Sequence, residues 1–138
     1  MSGFETMEHT ADIGIHAWGD SIEEAFQQAA LGMFSLIGDI DTAEEKGELI
    51  VMVENEDWGG LLVDWLSELL YVFDTERLFL CRFTVTIEKG EKLRLTGRAF
   101  GEVYDPKKHG MHMEIKAVTY HMLEVDPEKA DIKVLFDI

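Results

Sequence analysis

The residues of this chain best suited to chemistry sit at its end, in "KVLFDI", where Asp137 carries a side-chain carboxylate and Ile138 the α-carboxylate. Like charges this close repel. If the end is exposed, water hydrates both. If it is docked, a hard divalent cation taking several oxygens, or a Lys or Arg, has to compensate them. "KKHGMHM" gathers His109, Met111, His112 and Met113, donors for a soft or borderline metal or simply a turn leading into a strand. Asp39 and Asp41 have the opening spacing of a calcium loop without its third ligand and turn glycine, and read as a solvated helix exit. His9 and His16 flank an extended stretch as single histidines, which more often satisfy local hydrogen bonds than bind metal. The one cysteine, Cys81, lies in the strand-like "LFLCRFTVTI", where it packs as a small apolar residue rather than acting as a thiolate. No phosphate-cradling glycine loop, GxSxG elbow, HExxH or paired CxxC occurs.

Charge narrows the function classes. The net charge is −16, and through Glu76 there are 18 acids against the single base Lys46; from Arg77 onward 10 acids face 11 bases. Direct nucleic-acid binding, which needs a basic stripe to displace counterions, is not expected as the main activity. An acidic surface suits solubility, or docking on a basic partner that itself handles nucleic acid. No apolar run reaches the roughly 18 residues that span a bilayer, and "MSGFETMEHT" lacks the pattern of a signal peptide, so a cytoplasmic location is expected.

The elements that position these residues follow from periodicity. The 138 residues, 46% hydrophobic, suit one domain over 1–138 with its own core. "ETMEHTADIGIHAWGD" looks extended, with Ile13, Ile15 and Ala17 alternating with Gly14, His16 and Trp18 as in a strand. "SIEE" is a capping-box start, after which Ile22, Ala25, Phe26, Ala29, Met33, Phe34 and Ile37 form one helical stripe ending near Gly38. "DWGGLLVDWLSELLYVFDTER" predicts a helix apolar over most of its circumference and so buried on more than one side. "GELIVMVE" reads as a strand, and "EKGEK" as the turn of a hairpin. "DPKK" and "DPEK" read as type I turns, with "HMEIKAVTYHMLEV" strand-like between them. Two helices and about seven strands give an α+β domain of mostly antiparallel sheets, with the two buried helices packed between sheet layers as a β/α/β sandwich.

"EHTADIGIHAWG", "SIEEAFQQAALGMFSLI", "LLVDWLSELLYVFD", "EIKAVTYHMLEV" and "KVLFDI" together resemble the archease family from end to end. The resemblance implies a non-catalytic protein cofactor of the RtcB-type RNA-splicing ligase of tRNA exon joining. Such a cofactor promotes guanylylation of the ligase's active-site histidine and multiple turnover, and can broaden nucleotide use. It implies a calcium site on Asp12, Asp137 and Ile138, and a basic ligase-activation residue at Lys116. His9, His109, Thr119 and His121 lie in similar motifs without an implied role. Two other classes stay open beside it. One is a small metal-dependent hydrolase with a histidine such as His9 as general base; the other is a general chaperone or adaptor for nucleic-acid-modifying enzymes.

Overall fold

The computed structural model describes residues 1–9 and 12–138, apart from the side chain of His9. Among the described residues eight strands fall into two antiparallel sheets. The larger holds β1 (Gly3–His9), β2 (Asp12–Trp18), β8 (Asp131–Asp137) and β6 (Ala117–Val118) in that order, with β7 (Glu124–Asp126) also on β8. The smaller has the order β3 (Gly47–Asn55), β5 (Leu93–Val103), β4 (Leu78–Lys89). Helix α1 (Ile22–Ile37) packs on β2 of one sheet and β4 of the other, and α2 (Trp58–Glu76) packs on β3 and β5 as well as on β6 and β7. The helices are therefore the filling between two sheets, as their apolar patterns require.

Local chemistry starts and stops each helix. Ser21 accepts the Glu24 N–H and Asp57 accepts the Gly60 N–H, each satisfying an orphan donor of the first turn. Every residue of the predicted α1 stripe is buried. The α2 circumference is buried apart from an outward row that includes Tyr71, 62% exposed. Helix α2 ends at Arg77 in the left-handed conformation (φ 56°), its guanidinium 4.6 Å from the Phe73 ring centroid and 5.4 Å from that of Tyr104. At the centre Trp65 donates from Nε1 to the Phe26 carbonyl at 3.2 Å, tying α2 to α1, and its ring packs against Gly97 of β5. A Cβ at Gly97 would stand 2.4 Å from two Trp65 ring atoms, so only glycine allows this approach.

Two expectations need correction. "DPKK" is not an open turn but the start of a one-turn helix, α3 (Pro106–His109), because the Asp105 carboxylate caps the Lys107 N–H and Pro106 is preset for the first helical position. The strand-like stretch between the two DP turns is mostly irregular, and its strands are only the short β6 and β7. From Ala117 to Glu124 the chain advances seven residues while its partner on β8 moves four, from Asp137 to Lys133, so the residues between leave the sheet. Met122, at φ 53°, turns the chain in this excursion.

Candidate functional site

The last strand, β8, is central in its sheet, and its C-terminal end gathers the residues singled out from sequence. Ile13 pairs with Phe136, and one step further along the same register Asp12 stands opposite Asp137. Directly opposite residues project from the same face. The Gly19 N–H donates to the Ala130 carbonyl in the same register, so odd-numbered β2 positions exchange hydrogen bonds with β8, and Asp12 falls at a non-hydrogen-bonded pair. Side chains approach more closely at such pairs. On the other flank Ala117 pairs with Asp137, and the Lys116 N–H donates to the Asp137 carbonyl at 2.8 Å. Lys116 thus adjoins Ile138 at the same strand end.

The local sequence explains this placement. Ile15, Ala17, Ile132, Val134 and Phe136 are buried against the helices. The period of two then sends Asp12 and Asp137 to the outer face, where Asp137 and Ile138 are exposed. The Lys116 ammonium makes no ion pair among the described residues. The resulting group is two side-chain carboxylates, a main-chain carboxylate and one ammonium, all at the ends of three adjacent strands. Among the described residues no three His, Cys, Asp or Glu side chains form a metal-binding group; a cation held by Asp12 and Asp137 would need the carboxylate of Ile138 as its third anion. All three are hard oxygen donors, suited to calcium or magnesium and poorly suited to thiophilic metals.

The remaining candidates disperse. His109 is fully buried. Its Nδ1 accepts the Asp105 N–H at 3.0 Å, which places the proton on Nε2, 3.0 Å from Glu102 Oε2. With both ring nitrogens used, and the ring stacked 4.7 Å from Phe79, His109 is a structural residue. Glu102 also receives Lys108 Nζ at 2.8 Å and the Glu44 N–H at 2.8 Å. The hydrogen bonds from Lys108, His109 and Glu44 pull its pKa down to about 2. This network joins β5, α3 and the loop after α1, and it was not anticipated from sequence: Glu102 falls in step with the polar positions Arg94, Thr96 and Arg98 of β5, and its burial carries no signal in the strand pattern. Thr119 donates both N–H and Oγ1 to the Leu135 carbonyl at 3.1 Å, holding the chain to β8 beside the site.

His16 is tied to Glu5 at 2.9 Å and Asp131 at 2.7 Å, bridging β1 and β8 across β2. Burial lowers its pKa, but the bonds and charges of the two carboxylates outweigh this and the net shift is upward. Trp18, which alternates away from the core residues, packs its ring 5.1 Å from that of His16. Burial pushes the Cys81 thiol up, opposite to what a nucleophile needs. Met111 and His112 are exposed on an irregular segment, apart from buried His109. Asp39 precedes, and Asp41 lies within, a short 3-10 turn (Ile40–Thr42). The His9 side chain lies outside the described residues.

An antiparallel α+β sandwich with its last strand held centrally by β2 and β6 defines the class. The family is fixed by comparison: the archease protein family model (MTH1598/TM1083) matches residues 4–138, and the chain belongs to that family. It is 46% identical over 127 residues to protein archease of Pyrococcus furiosus, covering 91% of this chain and 89% of that one. It is 43% identical over 141 residues to protein archease of Methanothermobacter thermautotrophicus, covering 100% of both. The solution structure of Methanobacterium thermoautotrophicum protein 1598 superposes with a TM-score of 0.83 at 41% identity, over 99% of each chain. The crystal structure of an archease, possible chaperone, from Thermotoga maritima gives a TM-score of 0.54 at 23% identity, covering 97% of this chain and 96% of that one, and supports the fold alone.

Proposed function

We propose that this protein is a non-catalytic activator of an RtcB-type RNA-splicing ligase, acting through the end of β8. Family membership supports the class of activity. The observation that carries the reading is the register that brings Asp12, Asp137, Ile138 and Lys116 to one strand end. The donor set fits calcium: Asp12, Asp137 and the carboxylate of Ile138 would hold it. When bound, the cation supplies a positive centre that can neutralise phosphate charge. The chain's own residues do the rest. Opposed strands hold the two aspartates at fixed separation, the Lys116 ammonium is placed to meet a phosphate or the acids, and exposure of the end allows it to enter a cleft in the ligase.

The test is a guanylylation and multiple-turnover ligation assay with an RtcB-type ligase and GTP in the cytoplasmic range of salt. Intact protein, Asp12→Ala, Lys116→Ala and a chain lacking Ile138 are compared. Intact protein should raise adduct formation and turnover, and the variants should not. Full activation by a correctly folded Asp12→Ala protein would refute the role of the site. Turnover of nucleotide or phosphoester by the protein alone would favour a hydrolase instead.

A further inference from the structure

Strand β3 is an edge of the smaller sheet and, among the described residues, pairs only with β5. Among the described residues no backbone hydrogen bond reaches its outer side along Gly47–Asn55. A nine-residue strand with one open side is a template for another strand, and most proteins blunt such edges. The other edge of this sheet is partly closed: the Val85 N–H of β4 donates to Gln27 Oε1 of α1 at 3.0 Å. In the larger sheet β6 and β7 are two and three residues long. β1, also an edge, carries no exposed large apolar side chain among its described residues.

The surroundings of the β3 edge are specific. On the outer face Ile50 and Met52 are 60% and 66% exposed, opposite Arg98 and Thr96 of β5. Between the edge and α2 runs an open groove of about 450 Å³ lined by Val53, Glu54, Asp64, Ser67, Glu68 and Tyr71. The last four form one stripe of α2, spaced three and four residues apart. Arg98 and Arg94 are engaged with Glu48 and Glu54, Asp64 accepts from Asn55 Nδ2 at 3.0 Å, and the helix side of the groove carries no cation.

We propose that the outer edge of β3 receives an extended basic segment of the partner protein as a fourth strand. Main-chain hydrogen bonds supply the affinity and alternate side chains the specificity, as in strand addition generally. Side chains of the incoming strand that face α2 meet Asp64, Glu68 and the Tyr71 ring, which suits Lys or Arg. Those on the opposite face meet Ile50 and Met52, which suits apolar residues. The segment is therefore alternately basic and apolar. A second copy of this chain is disfavoured because it would bring the acids of one α2 stripe against those of another, in a chain of net charge −16. The inference rests on the ligase-activator reading for the identity of the partner and adds a second contact remote in sequence from Asp12 and Asp137.

The test is hydrogen–deuterium exchange of the full chain, alone and with an RtcB-type ligase, with calcium present in both. It is paired with a binding titration of Met52→Lys/Glu68→Lys, two exposed positions away from the β8 end. Exchange across residues 47–55 is expected to slow in the complex, and the double variant to bind about tenfold or more weakly with unchanged calcium affinity and melting temperature. A complex in which residues 47–55 exchange as in the free protein overturns this inference and leaves the activator reading standing. So does equal binding by the double variant. Absence of any complex overturns the activator reading, and this inference with it. A ligase-independent dimer that protects residues 47–55 overturns the assignment of the occupant.

Discussion

Asp137→Asn should change the stability of this protein in opposite directions with and without calcium. Asp12 and Asp137 oppose each other at a non-hydrogen-bonded pair, where Cβ atoms lie about 4.5–5.5 Å apart. Two unit charges at about 5 Å in water repel by roughly 0.8 kcal/mol, and the adjoining carboxylate of Ile138 adds to this, so about 1 kcal/mol is a fair total at low salt. Removing the Asp137 charge in a chelator should therefore raise the melting temperature by about 3 °C for a chain of this size. If calcium binds there, the intact protein should gain about 2.7 kcal/mol in calcium at 100 times its dissociation constant. That corresponds to a rise of roughly 9 °C. If loss of one charged ligand weakens binding about a hundredfold, the variant keeps only about 0.4 kcal/mol of that gain and falls below the intact protein by about 1 kcal/mol. Differential scanning calorimetry at low ionic strength, in EDTA and in calcium, measures both arms. A variant destabilised equally in both, or one with the full calcium-induced rise, would refute the convergence of these carboxylates on one cation.

Three further outcomes test the rest of the structure. Glu102, held near pKa 2 against an ordinary 4.5, contributes stability that is present above that ordinary value and lost as pH falls towards 2. The melting-temperature gap between intact protein and Glu102→Gln should therefore close between pH 5 and pH 2; a gap constant with pH would count against it. His16 is shifted the other way, so its contribution is complete below its ordinary value of 6.5 and disappears as pH rises through the raised value. His16→Asn should thus cost stability at pH 5 and cost less in alkaline buffer, as followed by thermal unfolding. Gly97→Ala forces a methyl group to within 2.4 Å of the Trp65 ring and should destabilise the fold, by about 1–3 kcal/mol in denaturant titration. Wild-type stability in that variant would mean that Trp65 can move off the sheet.

Sequence alone determined a good deal, because much of this fold is written in short-range patterns. Ser21 and the stripe from Ile22 to Ile37 announce α1, and the near-complete apolar circumference of α2 announces a helix covered on both sides. Alternation in "DIGIHAW" and "DIKVLFD" marks β2 and β8 and already sends Asp12 and Asp137 to the same kind of face. From the end of the chain alone, two neighbouring anions were legible, but not whether water, a base or a cation compensates them. Asp12 and Lys116 joined them only through family resemblance.

Tertiary structure decided what short-range pattern cannot carry. Register joins residues 125 positions apart in sequence, Asp12 and Asp137, and no local propensity records which strand becomes the neighbour of which. Burial of His109 and its bonds to Asp105 and Glu102 likewise depend on β5 and α3 meeting, so a histidine that resembles a ligand in "KKHGMHM" becomes a core residue. Breaking of "HMEIKAVTYHMLEV" into β6 and β7 follows from fitting seven residues against four on β8, a constraint set by the partner strand. The open side of β3 exists only because the smaller sheet ends there. The sequence determined which segments become helix or strand and which of their faces are apolar, since those are properties of consecutive residues; the pairing of strands, and with it the candidate site at the end of β8, came from long-range packing around the two helices.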